Sequence, residues 1–125
     1  MPRTTPCPAQ HGFLTQYDRP EWQPLIDVVG ERLTGTFMWM QENELEDGTA
    51  VHAYKHIHTR DYLYLSADGR AFEITPCERY VRLRTDVAIE RALCPWWMLR
   101  GWEPDDVEAI RAAILRAQGA DERSP

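Results

Sequence analysis

The sequence predicts an α+β domain: an antiparallel β-meander of four to five strands with one face packed on N-terminal and C-terminal helices. Three observations carry this expectation. The dipeptides Asp47-Gly48 and Asp68-Gly69 each separate alternating runs rich in aromatic and aliphatic residues, which is the strongest short-range hairpin signal. Trp22, Leu25, Ile26, Val29 and Leu33 recur at helical spacing. The run "EPDDVEAIRAAILRAQG", residues 103–119, opens on acids and carries Val107, Ile110 and Ile114 as one apolar stripe.

In chain order, residues 1–17 are rich in Pro, Thr and Gln and show little periodicity, so they are expected to form an extended arm. A single domain is expected over 18–119, followed by a solvated tail at 120–125. The first helix has Asp18 as its candidate cap and Pro24 in the first turn, where a missing N–H costs little. Gly30 weakens its last turn.

A two-residue loop at Asp47-Gly48 sets Asn43 against His52, Gln41 against Tyr54, Trp39 against His56 and Phe37 against His58. A similar loop at Asp68-Gly69 sets Leu65 against Phe72, Tyr64 against Glu73 and Leu63 against Ile74. Between them, Thr59-Arg60 makes a poor two-residue turn because both residues disfavour positive φ. A three-residue loop over Thr59 to Asp61 is expected instead, pairing His58 with Tyr62 and His56 with Tyr64. "RYVRLR", residues 79–84, alternates as a fifth strand. "TDVAIERAL", residues 85–93, reads as a helix capped by Thr85 or Asp86. "CPWWMLRGW", residues 94–102, is an aromatic loop broken by Pro95 and Gly101. Gly119 is expected to end the last helix.

Composition narrows the function classes. A chain of 125 residues with a 43% hydrophobic and 27% charged share fits one soluble domain with a self-sufficient core. The net charge of −6 disfavours a phosphate-tracking surface. Lys55 is the only lysine beside many arginines and alanines, as GC-rich bacterial coding produces. Cys7, Cys77 and Cys94 are odd in number and widely spaced, which argues against a disulfide framework or a zinc ribbon. The N-terminus lacks the apolar core of a signal peptide, and no apolar run reaches the length of a membrane span. A cytoplasmic protein with reduced thiols is expected.

With those registers, one sheet face carries Met38, Met40, Val51, Ala53, Ile57, Leu63, Leu65, Phe72 and Ile74, the side the helices should cover. The other gathers Phe37, Trp39, Gln41, Asn43, His52, Tyr54, His56, His58, Tyr62, Tyr64 and Glu73. Aromatic residues suit a pleated surface for structural reasons alone, and an open sheet often leaves such a face half solvated. The functional alternative is a surface that binds something flat or amphipathic.

A metal is a further option for His56 and His58, which lie about 6.6 Å apart along a strand, whereas His52 at about 13 Å from His56 cannot join them. Further ligands of a zinc site would have to come from the N-terminal arm, such as His11 or Cys7. No Ser sits in a G-x-S-x-G turn and no glycine-rich phosphate loop occurs, so no catalytic residue is assigned and no cofactor is expected. Trp96, Trp97 and Arg100 form a second candidate surface, either a core plug or an anchor for a partner.

The expectation is therefore a small cytoplasmic protein-interaction or regulatory module. Its binding surface would be Trp39, Gln41, Tyr54, His56, His58, Tyr62 and Tyr64, or the Trp96, Trp97 and Arg100 loop. The alternatives are a small metal-binding protein or enzyme using His56 and His58, and single-stranded nucleic-acid binding by aromatic stacking.

Overall fold

The computed structural model describes residues 20–98 and 102–123. The expected arm, the Asp18 cap, His11, Cys7, Arg100 and the side chain of Trp97 lie outside the described residues. The element order is α1 (Gln23–Val29), α2 (Glu31–Thr34), β1 (Phe37–Glu44), β2 (Ala50–His56), β3 (Tyr62–Ser66), β4 (Ala71–Ile74), β5 (Tyr80–Leu83), α3 (Thr85–Leu93), a 3₁₀ turn (Cys94–Met98) and α4 (Pro104–Arg123). The five strands form one antiparallel sheet in sequential order, a meander with helices packed on one side.

The first helix is shorter than its periodicity suggests. Gly30, at φ 87°, breaks it into α1 and α2, yet Leu25, Val29 and Leu33 still reach the same core. Arg84 rather than Thr85 or Asp86 holds the cap position of α3. Its side chain pairs with Asp86, while the Thr85 hydroxyl turns toward the Gly69 carbonyl at 3.4 Å. Helix α4 continues through Gly119 to Arg123; an interior glycine costs a helix roughly 0.5–1 kcal/mol relative to alanine, which is too little to stop a helix of this length. Asp106 anchors its other end. One carboxylate oxygen accepts the Glu103 N–H at 2.8 Å and the other accepts Arg32 Nε–H at 2.8 Å, which ties α2 to α4.

The hairpins set the faces, and here the structure departs from the sequence expectation. None of the turns is a two-residue loop. Gly48 N–H donates to the Leu45 carbonyl at 3.0 Å and Leu45 N–H donates to Thr49 at 2.8 Å. The loop is therefore three residues with Gly48 in the left-handed region at φ 88°, a type I turn closed by a bulge. The same arrangement recurs at Ser66–Arg70, with Gly69 at φ 83°, and at Thr75–Arg79, with Glu78 at φ 62°. Between β2 and β3 the loop spans four residues. His56 N–H donates to Asp61, Arg60 N–H returns to His56, and Arg60 takes φ 65°.

Each register therefore shifts. Phe37 faces His56, Trp39 faces Tyr54, and a bulge at Met40 lets Gln41 face Ala53 and Asn43 face Val51. Tyr54 faces Leu63 and His52 faces Leu65. Tyr64 faces Phe72 and Leu65 faces Ala71. The expected segregation of rings from aliphatic side chains does not occur. Phe37, Trp39, Tyr54, Leu63, Leu65 and Ala71 share the helix-covered core with Leu25, Ile89, Leu93, Trp96 and Ile110. Val51, Phe72 and Tyr80 form a second cluster on the opposite face, with Tyr64 and Ile74 against it. Met38 and Ile57, both expected in the core, are 36% and 40% exposed.

That opposite face is curled. Asn43 on β1 donates through Nδ2 to the Tyr80 hydroxyl on β5 at 2.8 Å, although the outer strands of a flat five-stranded sheet would lie roughly 19 Å apart. Arg79 and Glu46 meet at 3.8 Å across the same closure. The sheet thus bends toward a half-barrel with Tyr80 filling its interior.

Three outcomes in urea unfolding check this account. Gly48→Ala, whose new Cβ would meet no neighbour within 4 Å, should lose roughly 1 kcal/mol from backbone strain alone, whereas Glu78→Gly should gain roughly 0.5 kcal/mol. Tyr80→Phe, which removes the acceptor of the buried Asn43 amide, should cost about 1–3 kcal/mol.

Candidate functional site

The rings once grouped on a single face now occupy two environments. Beneath the helices, Trp39 Nε1–H donates to His52 Nδ1 at 3.1 Å. An indole nitrogen can only donate, so His52 carries its proton on Nε2. The Tyr54 hydroxyl donates to the Glu21 carbonyl at 2.5 Å, and its ring lies 5.9 Å from Trp22. Burial and the negative charge of Glu21 push the Tyr54 phenol well above its ordinary range.

His56 is fully buried at the end of β2. Its Nδ1 accepts the backbone N–H groups of His58 and Thr59 at 3.2 and 3.1 Å, which organises the β2–β3 loop. The Thr59 hydroxyl then donates to the Ala92 carbonyl at 2.8 Å, fastening the loop to the end of α3. Phe37 and Trp96 meet the His56 ring edge-on at 5.0 and 4.8 Å, and His58 stacks on Trp96 at 5.0 Å. Neither His56 Nε2 nor Trp96 Nε1 has a hydrogen-bond acceptor among the described residues. Burial first, and the neighbouring His58 second, lower the His56 pKa to about 4. Burial also lowers that of His52.

The expected surface residues that are described divide between buried and accessible positions. Trp39, Gln41, Tyr54, His56 and Trp96 are buried, whereas His58, Tyr62 and Tyr64 reach the surface fully or in part. Of the two histidines proposed for a metal, His56 has Nδ1 engaged by two amides and its ring enclosed, while His58 is exposed. Among the described residues, no group of three or more His, Cys, Asp or Glu side chains could hold an ion.

The accessible chemistry lies on the outer face. Met38, Lys55 and Tyr62 form a cross-strand row at the end away from the Asn43–Tyr80 closure. Tyr62 stacks on Tyr64 with ring centres 5.5 Å apart and planes at 10°, and Lys55 Nζ lies 5.6 Å from the Tyr62 ring centre. Arg70 and Arg82 lie over the Phe72 ring at 5.7 and 5.8 Å.

The β3–β4 ladder stops at Tyr64 and Phe72. Beyond it is a cleft of about 260 Å³ bordered by Asp61, Tyr62, Tyr64, Ile74, Glu73 and Arg91. A larger cavity of about 430 Å³ lies between α1, the 67–69 turn and α4, walled by Val28, Gly69 and Ala117. Among the described residues no aromatic ring lines it, and its Asp68 carboxylate is already held by Ser66 and Arg70. The smaller cleft is the better candidate because it joins exposed π-surface to ionisable groups.

Tyr62 and Tyr64, which alternation placed on the expected binding surface, border this cleft. Asp61, Ile74 and Arg91 border it too and were not among the expected surface residues. Asp61 sits in a loop, Ile74 was assigned to the core, and Arg91 meets Glu73 only through the packing of α3 on the sheet. Comparison with protein-family models, curated proteins and solved structures finds no match to this chain. No helix of the described residues is long and apolar enough to cross a membrane.

The buried imidazole has a pH consequence with a definite sign. The folded pKa of His56 lies near 4 and the ordinary value is 6.5, so between these values the unfolded chain binds the proton and the folded one does not. Stability from this group is therefore complete above about pH 6.5, falls as the pH drops toward 4, and changes no further below; the amount is on the order of 3 kcal/mol. Urea unfolding between pH 7.5 and 4.5 should show this slope, reduced in His56→Gln, with His52 supplying part of the remainder. Equal slopes in both proteins would assign the effect elsewhere.

Proposed function

We propose that the protein is an interaction module whose outer sheet face and adjoining cleft take an extended segment of a basic partner protein. The observation that carries this reading is the accessible Tyr62–Tyr64 stack at the edge of a cleft bordered by the Asp61 and Glu73 carboxylates. Paired phenol rings offer apolar area and negative π-faces at low entropic cost. Cations and flat apolar groups are the ligands such faces favour. Carboxylates beside them select positive charge, in keeping with a chain whose net charge is −6.

Within the cleft itself the Asp61 and Glu73 carboxylates oppose phosphate. The engagement of His56 in the β2–β3 loop weighs against hydrolytic or metal chemistry there. Tyr62 at 36% exposure and Met38 at the same value extend the apolar strip beyond the cleft, as a peptide longer than the cleft would use.

Selection from a displayed random-peptide library tests the reading. Enriched peptides should bind the full chain and shift the amide resonances of residues 61–64 and 72–74. Tyr62→Ala should weaken them roughly three- to tenfold while the unfolding midpoint moves little. Absence of enrichment, or peptides that bind Tyr62→Ala equally well, would overturn it.

A further inference from the structure

We infer that Glu73 is the cation-reading subsite of this cleft and that Arg91 occupies it in the free protein as an internal stand-in for a ligand guanidinium. The inference rests on the peptide-binding reading above and names what that site recognises.

Glu73 projects toward the helix side of β4, and Arg91 rises from the exposed face of α3. Arg91 Nη1 donates to Glu73 Oε2 at 2.7 Å, and both side chains border the cleft. The pair is solvated, with Arg91 61% and Glu73 41% exposed. An exposed ion pair of this kind adds little stability, so a ligand can displace Arg91 at small cost. What it exposes is a carboxylate already positioned by a paired strand. Asp61 stands at the same cleft and adds a second negative charge. The hydrocarbon walls of Tyr62, Tyr64 and Ile74 suit the aliphatic stem of an arginine or lysine side chain.

The arrangement separates two properties of one site. The tyrosine stack supplies contact area whatever the ligand's charge. Glu73 supplies the charge preference, and Arg91 weakens binding of every basic ligand by competing for it. Replacement of Arg91 should therefore tighten binding, the opposite of the effect expected if its guanidinium contacted the ligand.

The experiment uses peptides enriched on the wild-type chain of 125 residues, each synthesised with arginine and with citrulline, its neutral isostere, at the basic position. The arginine peptide should bind more tightly than the citrulline peptide. Arg91→Ala should improve the arginine peptide's affinity about two- to fivefold, the factor an exposed ion pair is worth, and leave the citrulline peptide unchanged. Glu73→Gln should remove most of the difference between the two peptides, leaving only the smaller preference that Asp61 supplies. Alanine favours a helix, so Arg91→Ala should keep its fold, and circular dichroism checks that it does. Peptides that bind the cleft with no basic preference, or that weaken on Arg91→Ala, would overturn this inference while the interaction reading stands. Failure to enrich any peptide would overturn the reading itself, and the inference with it.

Discussion

Three residues at positive φ, Gly48, Gly69 and Glu78, set the phase of the sheet. Each closes a three-residue turn, and each turn fixes which side of the pleat every residue of the following strand occupies. A strand has a side-chain period of two, so a slip of one residue would exchange its faces. Tyr54 and His56 lie under the helices and Tyr62 and Tyr64 lie outside because of these phases, together with the four-residue loop at 57–60 and the bulge at Met40. The curl that brings Asn43 to Tyr80 follows from the same local choices, since bulges increase strand twist. The cleft is a by-product of this bending: β3 and β4 part where their ladder ends, and α3 sits behind the gap.

The helix-covered core accepts two histidines because each has an assigned hydrogen-bonding role. His52 serves the Trp39 indole, and His56 serves two loop amides. Both roles need an unprotonated Nδ1, and burial enforces the neutral form. The cost is an imidazole N–H and an indole N–H without conventional acceptors among the described residues, set among the Phe37, His58 and Trp96 rings. Edge-on ring contacts near 5 Å return part of that cost. The ring nitrogens of His52 and His56 hold the structure together here, and Trp39, Tyr54, His56 and Trp96 are buried with them.

The architecture was legible in the sequence because it depends on features with one reading. Alternation, the position of Pro24, the acidic opening of α4 and the order of turns all point to a helix-flanked meander. The faces were not legible because Asp-Gly supports two turn types. It can provide both residues of a tight two-residue loop, or the last two of a three-residue loop in which only glycine needs positive φ. At 57–60 the required left-handed residue is Arg60, which no propensity favours, and its position depends on the amide bonds collected by His56. The Met40 bulge has no sequence mark. Tyr62 and Tyr64 survived as site candidates because any outward alternation on β3 includes them. Glu73–Arg91 joins residues far apart in sequence through tertiary packing and was out of reach of pattern alone.

Lys55 lies beside this surface, above the Tyr62 ring and across from Met38. Because the chain contains no other lysine, its side chain is the sole ε-amine that acylating reagents or enzymes can modify. Acetylation there would erase the positive charge held against the phenol face and leave the strand pairing untouched. The outer face would then be more acidic at the spot where a basic segment is proposed to lie. A single covalent change could thus retune the charge of this surface without disturbing the core behind it.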